Sequence, residues 1–175
     1  TSPSGGAGSF TYQWESSPNG TSGWTTIGGA TSDSYQPGVL TTTTYYRRVE
    51  TSGTCAPVYS NVIQITVYGN LTAGSVGASQ TICYNAAPST FTNITSPSGG
   101  TGTYTYQWQS SPDNSTWSDI TGANSATYTA GNLTATTYFR RNVTSSGGCG
   151  TVSSASITVT VNPDLVAGSI GADQT

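Results

Sequence analysis

Residues 10–14 read FTYQW and residues 104–108 read YTYQW, and aromatic and polar residues alternate within both stretches. In the first copy Phe10, Tyr12 and Trp14 occupy every second position, with threonine and glutamine between them. Residues two apart lie on the same face of a β-strand, whereas a helix needs apolar residues three and four apart. The stretch therefore predicts a half-buried β-strand in each copy.

A second predicted strand closes each copy. Residues 61–67 read NVIQITV and residues 154–161 read SASITVTV, and both are rich in the β-branched residues that suit a pleated surface. The stretches SSPNG (16–20) and SSPDN (110–114) follow the tryptophan strand with turn-forming residues. Short strands at regular spacing, with tryptophan on an early strand and tyrosine near the end, predict an all-β fold of tandem immunoglobulin-like β-sandwich domains.

The copies extend over the whole chain. TSPSGG at 1–6 returns at 95–100, and LTAGSVGASQT at 71–81 returns as LVAGSIGADQT at 165–175. A period of about 94 residues is too long for a solenoid repeat and suits an independent domain. We therefore predict a repeat that lacks its first strand, a complete repeat, and the first strand of a following repeat, at residues 1–67, 68–162 and 163–175.

The composition excludes several functions. The 175 residues include no histidine and no methionine, only 6% are charged, and 33% are hydrophobic with four tryptophans. This is enough apolar material for small cores and differs from the charged, aromatic-poor composition of disordered chains. The sequence contains no paired catalytic carboxylates, nucleophile elbow or calcium loop, so we predict no enzyme activity, no cofactor and no metal.

Charge and hydropathy limit the kinds of partner that the chain is expected to bind. The net charge is −3, and the basic residues are confined to two arginine pairs. The sequence therefore lacks the basic patch that nucleic-acid binding requires. No apolar run approaches the roughly 18 residues of a membrane span. We therefore predict no nucleic-acid partner and no membrane insertion, and we expect any targeting signal to lie outside these residues.

The run from AGSVGASQTIC (73–83) through TYTYQW (103–108) to SASITVTV (154–161) resembles the tandem immunoglobulin-like or PKD-like repeats of very large cell-surface proteins of Bacteroidetes. The likeness covers essentially the whole chain. Such proteins are typically exported by the type IX secretion system, and some are similar to gliding adhesins. The resemblance implies an extracellular location at the bacterial cell surface, with neighbouring repeats of the same chain as partners.

The four basic residues occupy the same slot in both copies, as Arg47, Arg48, Arg140 and Arg141. No acidic residue is shared by the two copies, so a repeated ion pair does not explain them. We expect the guanidinium groups to donate to backbone carbonyls or to lie over aromatic rings. Because consecutive strand residues point to opposite faces, we expect one arginine of each pair to face solvent and the other the sandwich. Anion binding is the alternative.

The repeated tryptophans have packing or binding roles. Trp14 and Trp108 are expected in the core, the alternative being a ligand platform. Trp24 and Trp117 are interpreted either as packing at the rim or as an exposed stacking surface for sugars. The solvent exposure of Trp24 and Trp117 distinguishes these two interpretations.

Tyr45 and Tyr138 keep their hydroxyl group in both copies, whereas their neighbour changes from Tyr46 to Phe139. Within the immunoglobulin-like resemblance, Tyr45 and Tyr138 are candidates for a tyrosine corner, in which the hydroxyl bonds to the backbone. The alternative is that both aromatic positions fill the core.

The three cysteines follow the predicted phase of the repeats. Cys83 falls early and Cys149 late in the complete repeat, and an extracellular location permits them to form a disulfide. Cys55 would then lack its partner, because the counterpart of Cys83 would lie before residue 1. We therefore predict a Cys83–Cys149 disulfide and a thiol at Cys55.

Two classes of function remain. The first is a structural stalk or fibre module of a large extracellular surface protein or adhesin, which extends a binding region from the cell. The alternative is a glycan- or surface-binding module that uses exposed aromatic residues to bind surface polysaccharide, or a self-assembling subunit of an extracellular filament. In a filament the tail of one copy would supply the missing strand of the next, although this omits the equivalent of ICYNAAPSTFTNI (82–94).

Overall fold

The computed structural model describes residues 3–171. In this range it contains thirteen β-strands and one short 3-10 turn, and no α-helix. The prediction of an all-β fold is therefore confirmed. The chain divides into two compact units, Thr1–Tyr68 and Gly69–Thr175, which are called unit 1 and unit 2 below.

Unit 1 contains one five-stranded sheet, formed by β1 (Thr11–Ser17), β2 (Thr25–Thr26), β3 (Thr44–Thr51), β4 (Val58–Tyr59) and β5 (Ile63–Ile65). The long antiparallel strands β1 and β3 form its centre, paired from Thr11 with Thr51 to Ser17 with Tyr45. Strand β2 pairs with β1, and both β4 and β5 pair with β3. The FTYQW stretch thus lies in the middle of the sheet.

Unit 2 contains a six-stranded and a two-stranded sheet. Its strands are β6 (Ser75–Val76), β7 (Gln80–Cys83), β8 (Asn93–Thr95), β9 (Tyr104–Ser111), β10 (Ser118–Asp119), β11 (Thr137–Ser145), β12 (Thr151–Ser153) and β13 (Ile157–Asn162). The large sheet has the order β10-β9-β11-β13-β7, with β12 also paired with β11, and the small sheet is β6-β8. Strand β7 runs parallel to β13, while the other pairs are antiparallel.

The core of unit 2 joins the two sheets. Val76 of β6 and Phe91, which precedes β8, pack in one cluster with Trp108 and Phe139 of the large sheet. The rings of Phe91 and Phe139 have centroids 5.0 Å apart. Fully burying one side chain of this kind contributes about 2 to 3 kcal/mol to folding. The segment at residues 69–95 therefore supplies one wall of this core.

The tryptophan strands end in the same turn in both units. The Oδ1 atom of Asn19 accepts hydrogen bonds from the amides two and three residues later, at 3.0 and 2.9 Å. The Oδ1 atom of Asp113 accepts the same two bonds at 2.8 and 2.7 Å. Asn and Asp are favoured in such turns because their short side chains bond to their own backbone. The turns predicted at SSPNG and SSPDN are thus present.

The chain enters unit 2 at one end of the large sheet and leaves it at the other. The carbonyl oxygen of Gly69 accepts a hydrogen bond from Gly100 at 2.8 Å, and Gly100 lies against Ser145, the last residue of β11. Cys83 pairs with Asn162 at the opposite end, where β11 begins. Strand β11 has nine residues, so the two ends lie about 30 Å apart.

Candidate functional site

The repeated arginine pairs lie on the central strands β3 and β11, and the two members of each pair point to opposite faces. Arg141 is fully buried, and Arg48 occupies the corresponding inner position of unit 1. Arg47 and Arg140 lie on the outer face, each over a tryptophan ring. The period-2 geometry of a strand explains this division. The inner and outer arginines therefore make different contacts.

The guanidinium group of Arg141 donates hydrogen bonds to oxygen atoms of unit 2. Its Nη1 atom donates to the Ala126 carbonyl at 2.6 Å and to Asn93 Oδ1 at 2.9 Å, and its Nη2 atom donates to the Ala73 carbonyl at 3.0 Å. The guanidinium also lies 4.9 Å from the centroid of the Tyr106 ring. Burial lowers the pKa of Arg141, and these acceptors replace the hydration that the cation loses. Its Nε atom has no hydrogen-bond partner among residues 3–171.

In unit 1 the guanidinium group of Arg48 has different hydrogen-bond acceptors. Its Nη2 atom donates to Glu50 Oε1 at 2.6 Å, and its Nη1 atom donates to the Asp33 carbonyl. The guanidinium carbon lies 4.6 Å from the Tyr12 ring centroid. The position of Glu50 is taken in unit 2 by the buried Val143. In unit 2 the acceptors Asn93 and Ala73 both lie in residues 69–95, which are called the entry segment below. In unit 1 the carboxylate of Glu50 takes their place.

The outer arginines stack on Trp24 and Trp117. The guanidinium carbon of Arg47 lies 4.2 Å from the Trp24 ring centroid, and that of Arg140 lies 4.3 Å from Trp117. Nε of Arg47 donates to Glu15 Oε2 at 2.8 Å. At the same place in unit 2, Nε of Arg140 donates to Gln109 Oε1 at 2.7 Å. The stacking recurs in both units, whereas the charge of the acceptor does not.

This arrangement bears on the sugar-platform interpretation. Trp24 and Trp117 are both half-buried, and an arginine covers one ring face of each. In unit 1 the same guanidinium also lies 4.1 Å from the Tyr59 ring, on an exposed residue. Cation–π stacking of this kind contributes about 0.5 to 1 kcal/mol at exposed sites. The stack reduces the ring surface left for a sugar.

Trp14 and Trp108 lie in corresponding positions with different burial. Trp108 is fully buried and stacks at 5.7 Å on Phe91, whereas Trp14 is half-buried and stacks at 5.8 Å on Tyr35. Each indole nitrogen donates to a backbone carbonyl 3.0 Å away. The difference in burial arises because Phe91 covers Trp108 from the entry segment of unit 2.

The predicted tyrosine corner is wrong. The hydroxyl groups of Tyr45 and Tyr138 make no hydrogen bond to the backbone within residues 3–171. Both side chains are half-buried, and the core positions are those of their neighbours Tyr46 and Phe139. Alternation explains this result, because the residue next to a core position on a strand points to the other face. The Tyr45 ring instead packs over the backbone of Gly20.

The predicted Cys83–Cys149 disulfide is also wrong. All three cysteines lie in the described range, and each is a free thiol. Cys83 pairs with Asn162 at the end of the sheet where β11 begins, whereas Cys149 follows the other end of β11. A disulfide requires Cα atoms less than about 7 Å apart, and the sheet places these residues about 30 Å apart. The explanation that Cys55 is unpaired because its partner would precede residue 1 depended on this disulfide, so it is no longer supported.

A repeated glutamine was not singled out from the sequence. Gln107 Nε2 donates to the carbonyls of Trp108 and Ile120 at 2.8 and 2.9 Å. Gln13 makes the equivalent bonds to Trp14 and Ile27 at 3.1 and 2.8 Å. The signal was available, because the dipeptide Gln-Trp is identical in both copies. The amide bridges the tryptophan strand to the loop that follows it.

The described residues contain no group of three His, Cys, Asp or Glu side chains placed to hold a metal ion. The same part of the chain has no helix long and apolar enough to cross a membrane.

The fold and these contacts define an all-β protein whose two units carry the same arrangement of arginine over tryptophan. The chain belongs to the family described as a domain of unknown function (DUF8696), and the sequence model of this family matches residues 1–69 and 72–163. No curated protein matches the chain.

Proposed function

We propose that the chain is a structural module of a large extracellular surface protein, in which tandem immunoglobulin-like repeats form a stalk or fibre. The observation that carries this proposal is the path of the chain in unit 2. The chain enters beside Gly100 and Ser145, and Asn162 leaves the large sheet at its opposite end, about 30 Å away. A repeat that the chain enters at one end and leaves at the other extends a stalk by its own length.

The contacts of the arginines support a structural role over anion binding. Arg141 donates to Ala73, Asn93 and Ala126, all within its own unit, and its guanidinium is fully buried. An anion site needs donors that remain free for the ligand. The inner arginine therefore fits a role in joining the entry segment to the large sheet.

The two matches to one family, over residues 1–69 and 72–163, are consistent with a repeated module. The extracellular location and the adhesin-type parent protein rest on the resemblance to Bacteroidetes surface repeats. In that setting the stalk extends a binding region carried elsewhere in the parent protein away from the cell.

Small-angle X-ray scattering of the chain, extrapolated to zero concentration, tests the proposal. A compact particle of 175 residues has a radius of gyration of about 16 Å. We expect a value well above this, with the long tail in the distance distribution that is typical of a rod. A radius close to the compact value would contradict the stalk.

A further inference from the structure

Strands β7 and β13 are neighbours in the large sheet of unit 2 and run in the same direction. Their four paired positions extend from Gln80 with Val159 to Cys83 with Asn162. Strand β7 lies in the entry segment, and β13 is the strand from which the chain leaves the sheet. The entry segment and the exit strand of unit 2 are therefore bonded directly to each other.

Parallel pairing determines how this contact responds to a pull on the chain. Tension between the entry and the exit of unit 2 pulls β7 from its Gln80 end and β13 from its Asn162 end. Because the strands are parallel, these ends lie at opposite ends of the pair, and the strands are pulled past each other along their axes. All four pairs then resist the force together, whereas strands that are separated from one end lose their pairs one at a time.

Other hydrogen bonds hold the entry segment along the same path. The backbones of Thr72 and Ser98 form two hydrogen bonds, of 2.8 and 3.2 Å. The Ser79 hydroxyl oxygen accepts a hydrogen bond from the Thr158 amide of β13 at 3.0 Å. The segment is thus attached to the rest of the unit at several points before β7 begins.

Ala73 and Val76 connect the entry segment to the interior of unit 2. The Ala73 carbonyl oxygen accepts a hydrogen bond from Nη2 of Arg141, which lies on the central strand β11. The side chain of Val76 is buried in the core cluster. Withdrawal of the segment therefore breaks the bond to a fully buried arginine and exposes an apolar side chain to water.

We propose that unit 2 resists mechanical force, and that the β7–β13 pair together with the entry segment forms the contact that must break before the unit unfolds. The direction of the force follows from the proposed stalk, on which this inference rests. The hydrogen bonds of Thr72 and Ala73 oppose the same pull, because they hold the segment that leads into β7.

The inference adds a mechanical role to that of a spacer. A spacer needs only length, whereas a stalk that carries a binding region must also remain folded when the bound object is pulled. In unit 2 the force enters at Gly69 and leaves at Asn162, about 30 Å away along the strands. The force therefore acts along the strands rather than across them.

Single-molecule force spectroscopy of the full chain tests the inference, with the chain held by peptide tags at its two ends. We expect unit 2 to unfold in one step. Extension of residues 69–162 should lengthen the chain by about 310 Å, after the folded length of about 30 Å is subtracted. The shorter unit 1 should give a smaller step. A separate early step at lower force, in which the entry segment leaves before the rest of the unit, would overturn the inference.

A second pulling direction provides the matched control. Cys83 is exposed, so its thiol can hold a handle in a chain that also carries Cys55→Ser and Cys149→Ser. Force between Cys83 and the C-terminal tag acts on β7 and β13 from the same end and separates their pairs one at a time. We expect unfolding at a force several times lower than between the two terminal tags. Equal forces in the two directions would overturn the inference, because the protein and its stability are the same in both.

Asn162→Cys, added to the same chain, tests the pairing itself. Asn162 pairs with Cys83, and neighbouring strands lie about 4.8 Å apart, which is within the range of a disulfide. Oxidation should join the two positions, so the unfolding step of unit 2 should shrink to that of residues 69–82, and a reductant should restore it. Asn162→Ser is the control and should keep the full step. A folded chain that forms no such disulfide would overturn the parallel pairing and the inference with it.

The scattering test of the stalk and the force measurements can fail independently. An extended chain whose unit 2 unfolds at equally low force in both directions would keep the stalk and overturn the mechanical role. A compact chain with a strong dependence on direction would overturn the stalk and leave the resistance of unit 2 in place. Circular dichroism checks that each cysteine variant is folded before it is pulled.

Discussion

Arg141 and Ala73 lie 68 residues apart in the sequence, and the Arg141 Nη2 atom donates to the Ala73 carbonyl oxygen at 3.0 Å. This hydrogen bond ties the central strand β11 to the segment through which the chain enters unit 2. Arg48, the counterpart in unit 1, is bonded to Glu50 instead. The Nη2 atom of the inner arginine thus donates to a backbone carbonyl in unit 2 and to a carboxylate in unit 1.

Replacing the inner arginine should therefore have unequal effects. The lysine of the Arg141→Lys variant lacks the planar guanidinium group. It therefore cannot donate to the Ala126, Asn93 and Ala73 oxygens at the same time. Leaving buried acceptors without donors should lower the unfolding free energy of unit 2 by about 3 kcal/mol. Arg48→Lys should cost less, since an ammonium group still pairs with Glu50.

Denaturant titration followed by the indole NMR signals separates the two effects. Trp108 reports on unit 2 and Trp14 on unit 1. Equal losses of stability in the two variants would contradict the conclusion that Arg141 depends on its acceptors more strongly than Arg48 does.

The outer arginine should protect its tryptophan from solvent. Arg140→Ala removes the guanidinium that lies 4.3 Å from the Trp117 ring, so this ring should become more accessible. The loss of stability should be about 0.5 to 1 kcal/mol. A soluble paramagnetic agent should broaden the Trp117 indole signal more strongly in the variant. The buried Trp108 is the internal control, and an unchanged Trp117 signal would argue against the stack.

The turn at Asp113 should depend on pH. Hydrogen bonds from the amides of Thr116 and Ser115 lower the pKa of the Asp113 carboxyl to about 2. Because its folded pKa lies below the ordinary value of about 3.9, the contribution to stability is complete above about pH 4 and is lost as the pH falls towards 2. Thermal unfolding between about pH 2 and 5 should show this loss.

Asn19 provides the matched control for that experiment. It occupies the same turn in unit 1 and accepts the same two amide bonds without a titrating group. Asp113→Asn should therefore keep the turn and remove its contribution to the pH dependence. Titration of Asp113 at its ordinary pKa would be inconsistent with the backbone bonds.

The two copies of TSPSGG should tolerate alanine differently. Gly5 and Gly99 both have positive φ, at +86° and +77°, so an alanine is strained at either position. A Cβ atom at Gly99 would also overlap the Asn70 carbonyl oxygen, whereas nothing lies within 4 Å of one at Gly5. Gly99→Ala should thus cost about 1 to 3 kcal/mol more than Gly5→Ala. Calorimetry of both variants measures this difference, and similar losses would speak against the packing of Asn70.

The cysteines provide a test of the strand register. Cys55 and Cys83 are exposed and Cys149 is half-buried, so a thiol reagent should modify the first two faster without denaturant. Mild oxidation of dilute protein should yield no Cys83–Cys149 bond, because the sheet separates them by about 30 Å. A non-reducing peptide map checks this. Finding that bond within one chain would require a different register for β7 or β11.

Local patterns were sufficient for the strands and the turns. The alternating FTYQW and YTYQW stretches form the central strands, and NVIQITV and SASITVTV contain β5 and β13. The side-chain period of 2 is a local property of an extended backbone, and it also predicted that the paired arginines separate to opposite faces. Comparison of the two copies also predicted that carbonyls and aromatic rings contact the guanidinium groups, and they do in both units. In unit 1, however, Glu15 and Glu50 form ion pairs with the arginines as well, which the comparison did not predict.

The partners across the sheet could not be obtained in this way. The positions of Cys83 and Cys149 depend on which strands pair and in which direction, and no local pattern encodes that choice. The same holds for the tyrosine hydroxyls, since the expected corner depends on how the backbone bends near the ring.

Strand periodicity and repetition can be recognised without knowing any contact, so the amino-acid sequence was enough to predict an all-β chain with two copies of one pattern. The acceptors of Arg141 and Arg48, the positions of Cys83 and Cys149 at opposite ends of the large sheet, and the exposure of Ile63 and Ile65 were known only from the folded chain. Those properties depend on residues as far apart as Ala73 and Arg141, which packing brings together over distances that local propensity does not specify.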